Sequence, residues 1–429
     1  MKITILTYGS AGDVVPYISL ALGLMDRNHE VILAAPQNFE LLINSYQIQY
    51  MPLHGDTQAL IESEEGLRWM AAGDTKSFFK ELGSLFYNIR QELRRDTLAA
   101  CQGSQAIIVG TLMINYGTTL SEKLKIPFLI AIVNPVSVST KAFPHFVVSH
   151  KALPFGFLNA LTYKLVFKSY SKETRDQINE WRSSINLQPT KTNVFDQIKK
   201  LKVPVLLGYS PSLLPKPRDW GHHIAVTGVW KIESGKKPVE EPSEKLAQWI
   251  QAGSSPPVYF GFGSMPVLNP SVIQNMVSEI CEETGVRAII NAGWSKFEDK
   301  NSSVGDKVYL VKHANLQWLF PQCSILVHHG GVGTTHLSLE SGVPTIICSI
   351  FADNPLWGER LERLNIGKHI RFKELDKNKM IKAIQYLQND KIRSNAMQTG
   401  DKVRAENGLK TAVDLIEYHL PKAPIYSVH

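Results

Sequence analysis

Short apolar runs alternate with stretches of helical periodicity along this chain, and the alternation is run through twice. In the first pass Lys2–Leu6 (KITIL), residues 30–35 (EVILAA), Ala106–Val109, Phe128–Ile132 and residues 203–208 (VPVLLG) read as short buried strands. Between the first two lies a Gly-containing loop (YGSAGD, 8–13) and a segment, 14–25, with apolar residues at helical spacing and Pro16 near its first turn. Residues 231–242 then turn polar, charged and proline-bounded, and read as a linker. Beyond it the alternation restarts, with strand candidates at 258–262, Ala288–Asn291, Val308–Val311, 324–327 and 345–348. Strands alternating with helices specify parallel, doubly wound sheets. The expectation is an α/β chain of two Rossmann-like halves, 1–230 and 243–404, whose cleft is the natural ligand site.

Composition agrees. A length of 429 residues suits two domains, or three. The 44% apolar content is enough for large cores and excludes a disordered or fibrous chain. No apolar run approaches the ~18 residues of a transmembrane helix. The first residues enter a strand directly, without a basic stretch followed by an apolar one, so no signal peptide is expected. Cys101, Cys281, Cys323 and Cys348 are scattered and form no CxxC pair, which favours a reducing compartment over a zinc site or disulfide framework. A cytoplasmic location is therefore expected.

The net charge of +7 is unevenly spread. Residues 141–172 (KAFPHFVVSHKALPFGFLNALTYKLVFKSYSK) hold five lysines, seven Phe or Tyr residues and no Asp or Glu. Lysines beside aromatic rings suit the headgroup boundary of a membrane, so a peripheral contact is one reading. A core helix with snorkelling lysines is the other. A nucleic-acid partner is not expected, because the basic excess accompanies apolar residues and forms no polar stripe. Trp69 and residues 78–86 (FFKELGSLF) either line an acceptor pocket or, the favoured reading, pack a core.

The stretch 324–358 (SILVHHGGVGTTHLSLESGVPTIICSIFADNPLWG) reads as strand, glycine turn, helix, strand, loop and helix. Gly330, Gly331 and Gly333 permit tight geometry and close ligand approach. A helix from about Thr334 offers free N–H groups and a positive dipole end to an anion, with His329 within reach. A diphosphate is the obvious ligand. The plainer reading is a tight strand–helix connection.

HGGVGTT at 329–335, GVP at 342–344, DNP at 353–355 and Trp357-Gly358 resemble the donor signature of family-1 glycosyltransferases, and within them the sterol glucosyltransferases, then the glycopeptide-antibiotic enzymes. GSAGDVVP at 9–16, YSPSL at 209–213, Asp219-Trp220, VTG at 226–228, PVYFGFGSM at 257–265, Ala292-Gly293-Trp294 and WLFP at 318–321 fit the same family in order. The resemblance implies a GT-B fold: two Rossmann-like doubly wound parallel-sheet domains facing across a cleft, acceptor in the first and nucleotide sugar in the second. It also implies a C-terminal segment, 405–429, whose helix (405–420) crosses back to the first domain.

Roles follow by resemblance. His329 matches a histidine that contacts the donor phosphate; Gly331, Gly333 and Thr334 would bind the diphosphate, and Ser264 matches a phosphate-contacting hydroxyl. Gln317 lies in the segment along base and ribose. Asp353 and Asn354 match an acidic-amide pair that grips sugar hydroxyls, with Asn where Gln is usual. Gly9, Ser10 and Gly12 form the loop presenting Asp13, the general-base candidate. A free aspartate has a pKa of about 3.9, so proton transfer must wait until the attacking hydroxyl turns acidic, and a dry acceptor pocket would assist. On its residues alone Asp13 reads as a helix N-cap, and both roles can coexist. No metal or resident cofactor is needed: helix termini, His329 and hydroxyls would stabilise the leaving diphosphate. The histidine pairs 222–223 and 328–329 point to opposite faces and make no chelate.

The implied activity is inverting transfer of a hexose, glucose from UDP-glucose, to a hydroxyl of a sterol or similar lipid. The alternatives are transfer of another sugar, such as rhamnose, to a polyketide, peptide or phenolic acceptor, and a non-catalytic nucleotide-sugar or lipid-binding protein.

Overall fold

The computed structural model describes residues 1–66, 68, 75–232, 243–261, 270–291, 302–304, 306–312 and 314–427. Ser264, Trp69, Ala292-Gly293-Trp294 and most of the expected linker lie outside the described residues. The chain forms two compact units. The first comprises Met1–Gln58, Glu81–Pro238 and Glu406–His429; the second comprises Ala59–Lys80 and Val239–Ala405.

The first unit is built on a seven-stranded sheet. Its strands are β1 (Lys2–Leu6), β2 (Glu30–Pro36), β3 (Gln49–Leu53), β4 (Ala106–Val109), β5 (Phe128–Ile132), β6 (Val205–Leu207) and β7 (Ile224–Val226). Their order is β3-β2-β1-β4-β5-β6-β7, and every pairing is parallel. The central strands β4 and β5 are apolar throughout and β1 is so but for Lys2 and Thr4, and all are almost wholly buried, because helices cover both faces. Winding reverses between β1 and β4, so the loop after β1 sits at the topological switch point, where such sheets bind ligands.

That loop feeds α1 (Ala11–Met25), three residues earlier than the sequence periodicity indicated. Ser10 is the N-cap and Asp13 the third helical residue. Pro16 therefore falls in the second turn; the residue four before it, Gly12, is exposed, which makes the lost backbone bond tolerable. A long helix, α2 (Gly156–Ser184), runs through the lysine-aromatic segment and turns Asn159, Thr162, Tyr163, Phe167 and Ser171 inward. Its far end carries Arg182, which makes a buried bidentate pair with Glu122 at 3.0 and 3.1 Å. The C-terminal helix Gly408–His419 belongs to this unit and packs on α1, where Val413 and Leu409 close over Gly23.

The second unit repeats the plan. Its strands are β8 (Val258–Gly261), β9 (Ala288–Asn291), β10 (Ser302–Val304), β11 (Val308–Val311), β12 (Ile325–His328), β13 (Thr345–Ser349) and β14 (Gly367–Arg371). The order is β10-β11-β9-β8-β12-β13-β14, parallel except for the antiparallel edge strand β10. Alternate strand residues feed separate cores: Val258, Phe260, Ile325 and Val327 on one face, Tyr259, Ile289 and Leu326 on the other. The switch point lies between β8 and β12, at the head of the glycine turn. This unit also contains α3 (Val332–Ser341) and α4 (Asn354–Arg363). Among the described residues, no helix is long and apolar enough to cross a membrane, and all four cysteines are buried and free.

Candidate functional site

Each unit presents one constellation at the carboxyl end of its central strand. In the first unit β1 ends at Leu6, and Thr7 to Ser10 carry the chain into α1. The Asp13 Oδ2 accepts the backbone N–H of Ser10 at 2.9 Å and its hydroxyl at 3.1 Å. This closes the reciprocal half of a capping box, so the sequence expectation that Asp13 precedes the helix is corrected: the carboxylate reaches back from inside it. Gly9 adopts φ +136°, and a Cβ there would lie 2.4 Å from the same carboxylate oxygen. Glycine is thus required by conformation and by contact together. The Thr57 hydroxyl donates to the Gly9 carbonyl at 2.6 Å, and Thr7 donates to the Asp13 carbonyl. Gly12 is exposed and has no comparable constraint.

Two aromatic residues frame this loop. Tyr17 is fully buried, its hydroxyl donates to the Ala131 carbonyl, and burial reinforced by the Asp13 charge keeps it protonated. Tyr8 donates to the His54 carbonyl at 3.0 Å and packs on Phe86, ring centroids 4.9 Å apart. Thr7, Tyr8, Tyr17 and Thr57 were not singled out in the sequence. The hydrogen bonds of Tyr8, Tyr17 and Thr57 join positions distant along the chain, and no local pattern announces them.

In the second unit β12 ends at His328, and His329, Gly330 and Gly331 turn the chain into α3. Gly331 is the N-cap and the helix begins at Val332, two residues earlier than the sequence indicated. Gly330 has φ +91°, and a Cβ on it would strike Ile347 at 2.6 Å. A Cβ on Gly331 would lie 2.5 Å from His329 Nε2, so the imidazole lies directly against that residue. Gly333 is exposed, with open space beside it. The first intrahelical bond runs from Thr335 N to Gly331 O at 2.9 Å, which leaves the N–H groups of Val332, Gly333 and Thr334 without helical acceptors.

Three histidines surround this turn, and burial keeps all of them neutral. It lowers His329 and His336 to about 4, and His328, with added repulsion from His329, to about 3. His328 is structural: it accepts the Gly330 N–H at 3.0 Å and meets Ser338 at 3.3 Å. His329 Nδ1 and the Thr335 hydroxyl are buried and have no hydrogen-bond partner among the described residues. Orphaned buried polar atoms beside a helix N-terminus mark a place prepared for a polar ligand. Thr335 was passed over in the sequence, although its neighbour Thr334 was chosen; Thr335 is buried and Thr334 half-buried.

Asp353 and Asn354 head α4 after Ala352, which takes φ +53°. The Asp353 carboxylate accepts the Trp357 indole N–H at 2.7 Å. Asn354 is buried; its amide donates to the Gly330 carbonyl at 3.2 Å and accepts from Phe351 N at 3.4 Å. The shortened amide thus ties the glycine turn to the start of α4. Gln317 is exposed on the short helix Leu316–Leu319. Phe78 packs on Phe351 with ring centroids 4.6 Å apart. Among the described residues, no three His, Cys, Asp or Glu side chains gather as a metal site.

Comparison with known proteins matches both halves of the chain. Residues 3–182 match the glycosyltransferase family 28 N-terminal domain, and residues 284–413 match the C-terminal domain of erythromycin biosynthesis protein CIII-like proteins. A sterol 3-beta-glucosyltransferase of Yarrowia lipolytica is 34% identical over 97% of this chain and 28% of its own length. One from Arabidopsis thaliana is 31% identical over 99% of this chain and 66% of its own. The chain thus spans roughly a quarter to a third of the fungal relatives and about two thirds of the plant one. The calicheamicin glycosyltransferase superposes with TM-score 0.71 at 12% identity, covering 98% of each chain. The glycosyltransferase VinC, solved with dTDP, gives 0.68 at 15% identity, covering 99% of this chain and 100% of its own. The two sheets, their order and these matches place the chain in the GT-B glycosyltransferase family.

Proposed function

We propose that this chain transfers glucose from UDP-glucose to the hydroxyl of a sterol, inverting the anomeric centre. The observation that carries the reading is the likeness to sterol 3-beta-glucosyltransferases along 97–99% of the chain. The two prepared constellations support it. The nucleotide sugar binds the domain over 243–404, joined to the acceptor domain, 1–230, by the linker 231–242. The N-terminus of α3, His329 and Thr335 take the diphosphate, Ser264 adds a hydroxyl, and Gln317 lies along the nucleoside. Neutral His329 serves as a hydrogen-bond donor, so the positive end of α3 supplies the electrostatic stabilisation. Asp353 reads the sugar hydroxyls; Asn354 holds the turn beneath them.

The sterol oxygen attacks the anomeric carbon, the bond from that carbon to the diphosphate oxygen breaks, and UDP leaves with the electron pair. Asp13 takes the hydroxyl proton as the new bond forms. Its bonds from Ser10 fix the carboxylate in place. Because the acceptor is a lipid, the chain works at the cytoplasmic face of a membrane, with residues 141–172 as its contact.

The test is product mass spectrometry with a panel of nucleotide sugars against sterols in vesicles, beside phenolic and polyketide acceptors. Asp13→Asn is the decisive variant, because its amide oxygen can still accept from Ser10. Hexosyl-sterol formed with UDP-glucose, and lost about 10²–10⁴-fold in Asp13→Asn with the fold intact, is expected. Preferred transfer of a deoxysugar to a polar acceptor would sink the reading, and the substitution of Asn354 for the usual Gln is the feature such a result would implicate.

A further inference from the structure

We infer that the N-terminal half of α2 is a docking ridge for an anionic lipid surface. This deepens the sterol reading and rests on it only for its purpose; the surface itself is argued from the first unit alone. Phe157, Leu161 and Leu165 stand four residues apart, on one face of the helix, and are 64%, 45% and 57% exposed. Phe155, 61% exposed, stacks on Phe157 with ring centroids 5.9 Å apart, and Val147 and Val148 are exposed in the preceding loop. The helix is not loosely held. Its opposite face is anchored by Tyr163 and Phe167 against His145, and by Asn159 hydrogen-bonded to the Lys141 carbonyl. The apolar ridge is thus a fixed, convex surface feature rather than an unfilled core.

Charge identifies the occupant. Lys164 lies on the same face between Leu161 and Leu165, Lys168 and Lys172 continue it at the next two turns, and Lys141 and Lys151 are exposed in the loop before the helix. None of the five makes an ion pair among the described residues, although Lys and Arg elsewhere in the unit do. Acidic residues enter only from Glu173 onward. The exposed face therefore grades from aromatic, to aliphatic, to basic along the helix. Rings that seat in the headgroup boundary and ammonium groups that meet lipid phosphates need that sequence of chemistries. A protein partner would present a complementary groove to a convex ridge; a bilayer needs no complementary shape.

The experiment is co-sedimentation of the full chain with vesicles of phosphatidylcholine alone or with 30% phosphatidylserine, in the absence of any nucleotide sugar or sterol. The variants are Phe155→Ser with Phe157→Ser, and Lys164→Glu with Lys168→Glu. The native chain should sediment with the anionic vesicles and be released by salt. The charge-reversed chain should bind at least 10-fold more weakly, since each lysine near the surface is worth about fivefold, and the aromatic variant should lose binding on both vesicle types. A Phe157→Trp chain should show added fluorescence that brominated lipid quenches, which tests the contact without removing the apolar side chain. Transfer to detergent-solubilised acceptor should be unchanged in both double variants, separating docking from catalysis. A native chain that stays in solution with anionic vesicles, or variants that sediment like it, would overturn the inference whatever the acceptor proves to be.

Discussion

Asn354→Ala separates two roles for a residue at the heart of the second constellation. The native amide bridges the Gly330 carbonyl and the Phe351 N–H, and it is buried. Truncation strands one buried acceptor and one buried donor. At about 1–3 kcal/mol for each, discounted because the second bond is long, the loss should be about 2–4 kcal/mol. For a unit of this size that is a fall of roughly 5–15 °C in melting temperature. A clamp acts on the turn, so affinity for UDP alone and for every UDP-sugar should fall by a common factor. A residue that reads the sugar would leave UDP affinity and stability untouched and alter the ratio of kcat/KM between UDP-glucose and UDP-galactose. Calorimetric melting, UDP titration and the two-donor ratio decide between them. An unshifted melt with a changed donor ratio would refute the clamp.

Gly9→Ala should abolish transfer about as fully as Asp13→Asn at little cost in overall stability. The new Cβ displaces the carboxylate and the backbone strain is only ~1–3 kcal/mol; steady-state kinetics beside a thermal melt would show it, and near-native kcat would contradict it. The buried neutral histidines 328, 329 and 336 predict acid lability. Their folded pKa values of about 3 to 4 lie below the ordinary ~6.5, so the unfolded chain binds more protons between these limits, and stability is lost as pH falls from about 6.5 toward 4. At roughly 3 kcal/mol each they rival the stability of a whole domain, and a melting temperature flat from pH 7 to 4.5 would exclude this. Glu122→Gln should cost about 3–5 kcal/mol in urea unfolding by leaving Arg182 buried without its counter-ion, while replacing both by apolar residues should recover most of it.

The central strands were legible because burial on both faces writes a largely apolar run: β1, β4, β5, β9 and β11 end where the sequence indicated. The edge strands were not. β3 (QYMPL) is half exposed and carries Pro52, β14 (GKHIR) carries two cations, and β7 and β10 are three residues long. An edge strand has solvent for a neighbour, and its sequence looks like a loop. In the site, His329 and the glycines were legible from a local turn pattern supported by the resemblance. The pairing of Asn354 with Gly330 was not, because residues 24 apart meet only after β13 has been laid beside β12. The Ser10–Asp13 spacing was there to be read as a capping box, but Pro16 drew the helix start too far forward.

The first unit is closed by a segment that lies beyond the whole of the second unit in the chain. Gly408 lies against Gly228 and Val229, Val413 covers Gly23, and Tyr426 packs on Phe128 and donates its N–H to Ser121. On a ribosome, residues 1–238 emerge long before these partners exist, whereas the second unit has all its residues by position 405. The downstream domain can therefore reach its native state first, while the upstream one waits with an uncovered flank. Loss of residues 406–429 should then be felt as misfolding of residues 1–238, visible as protease sensitivity there with the glycine-turn domain intact.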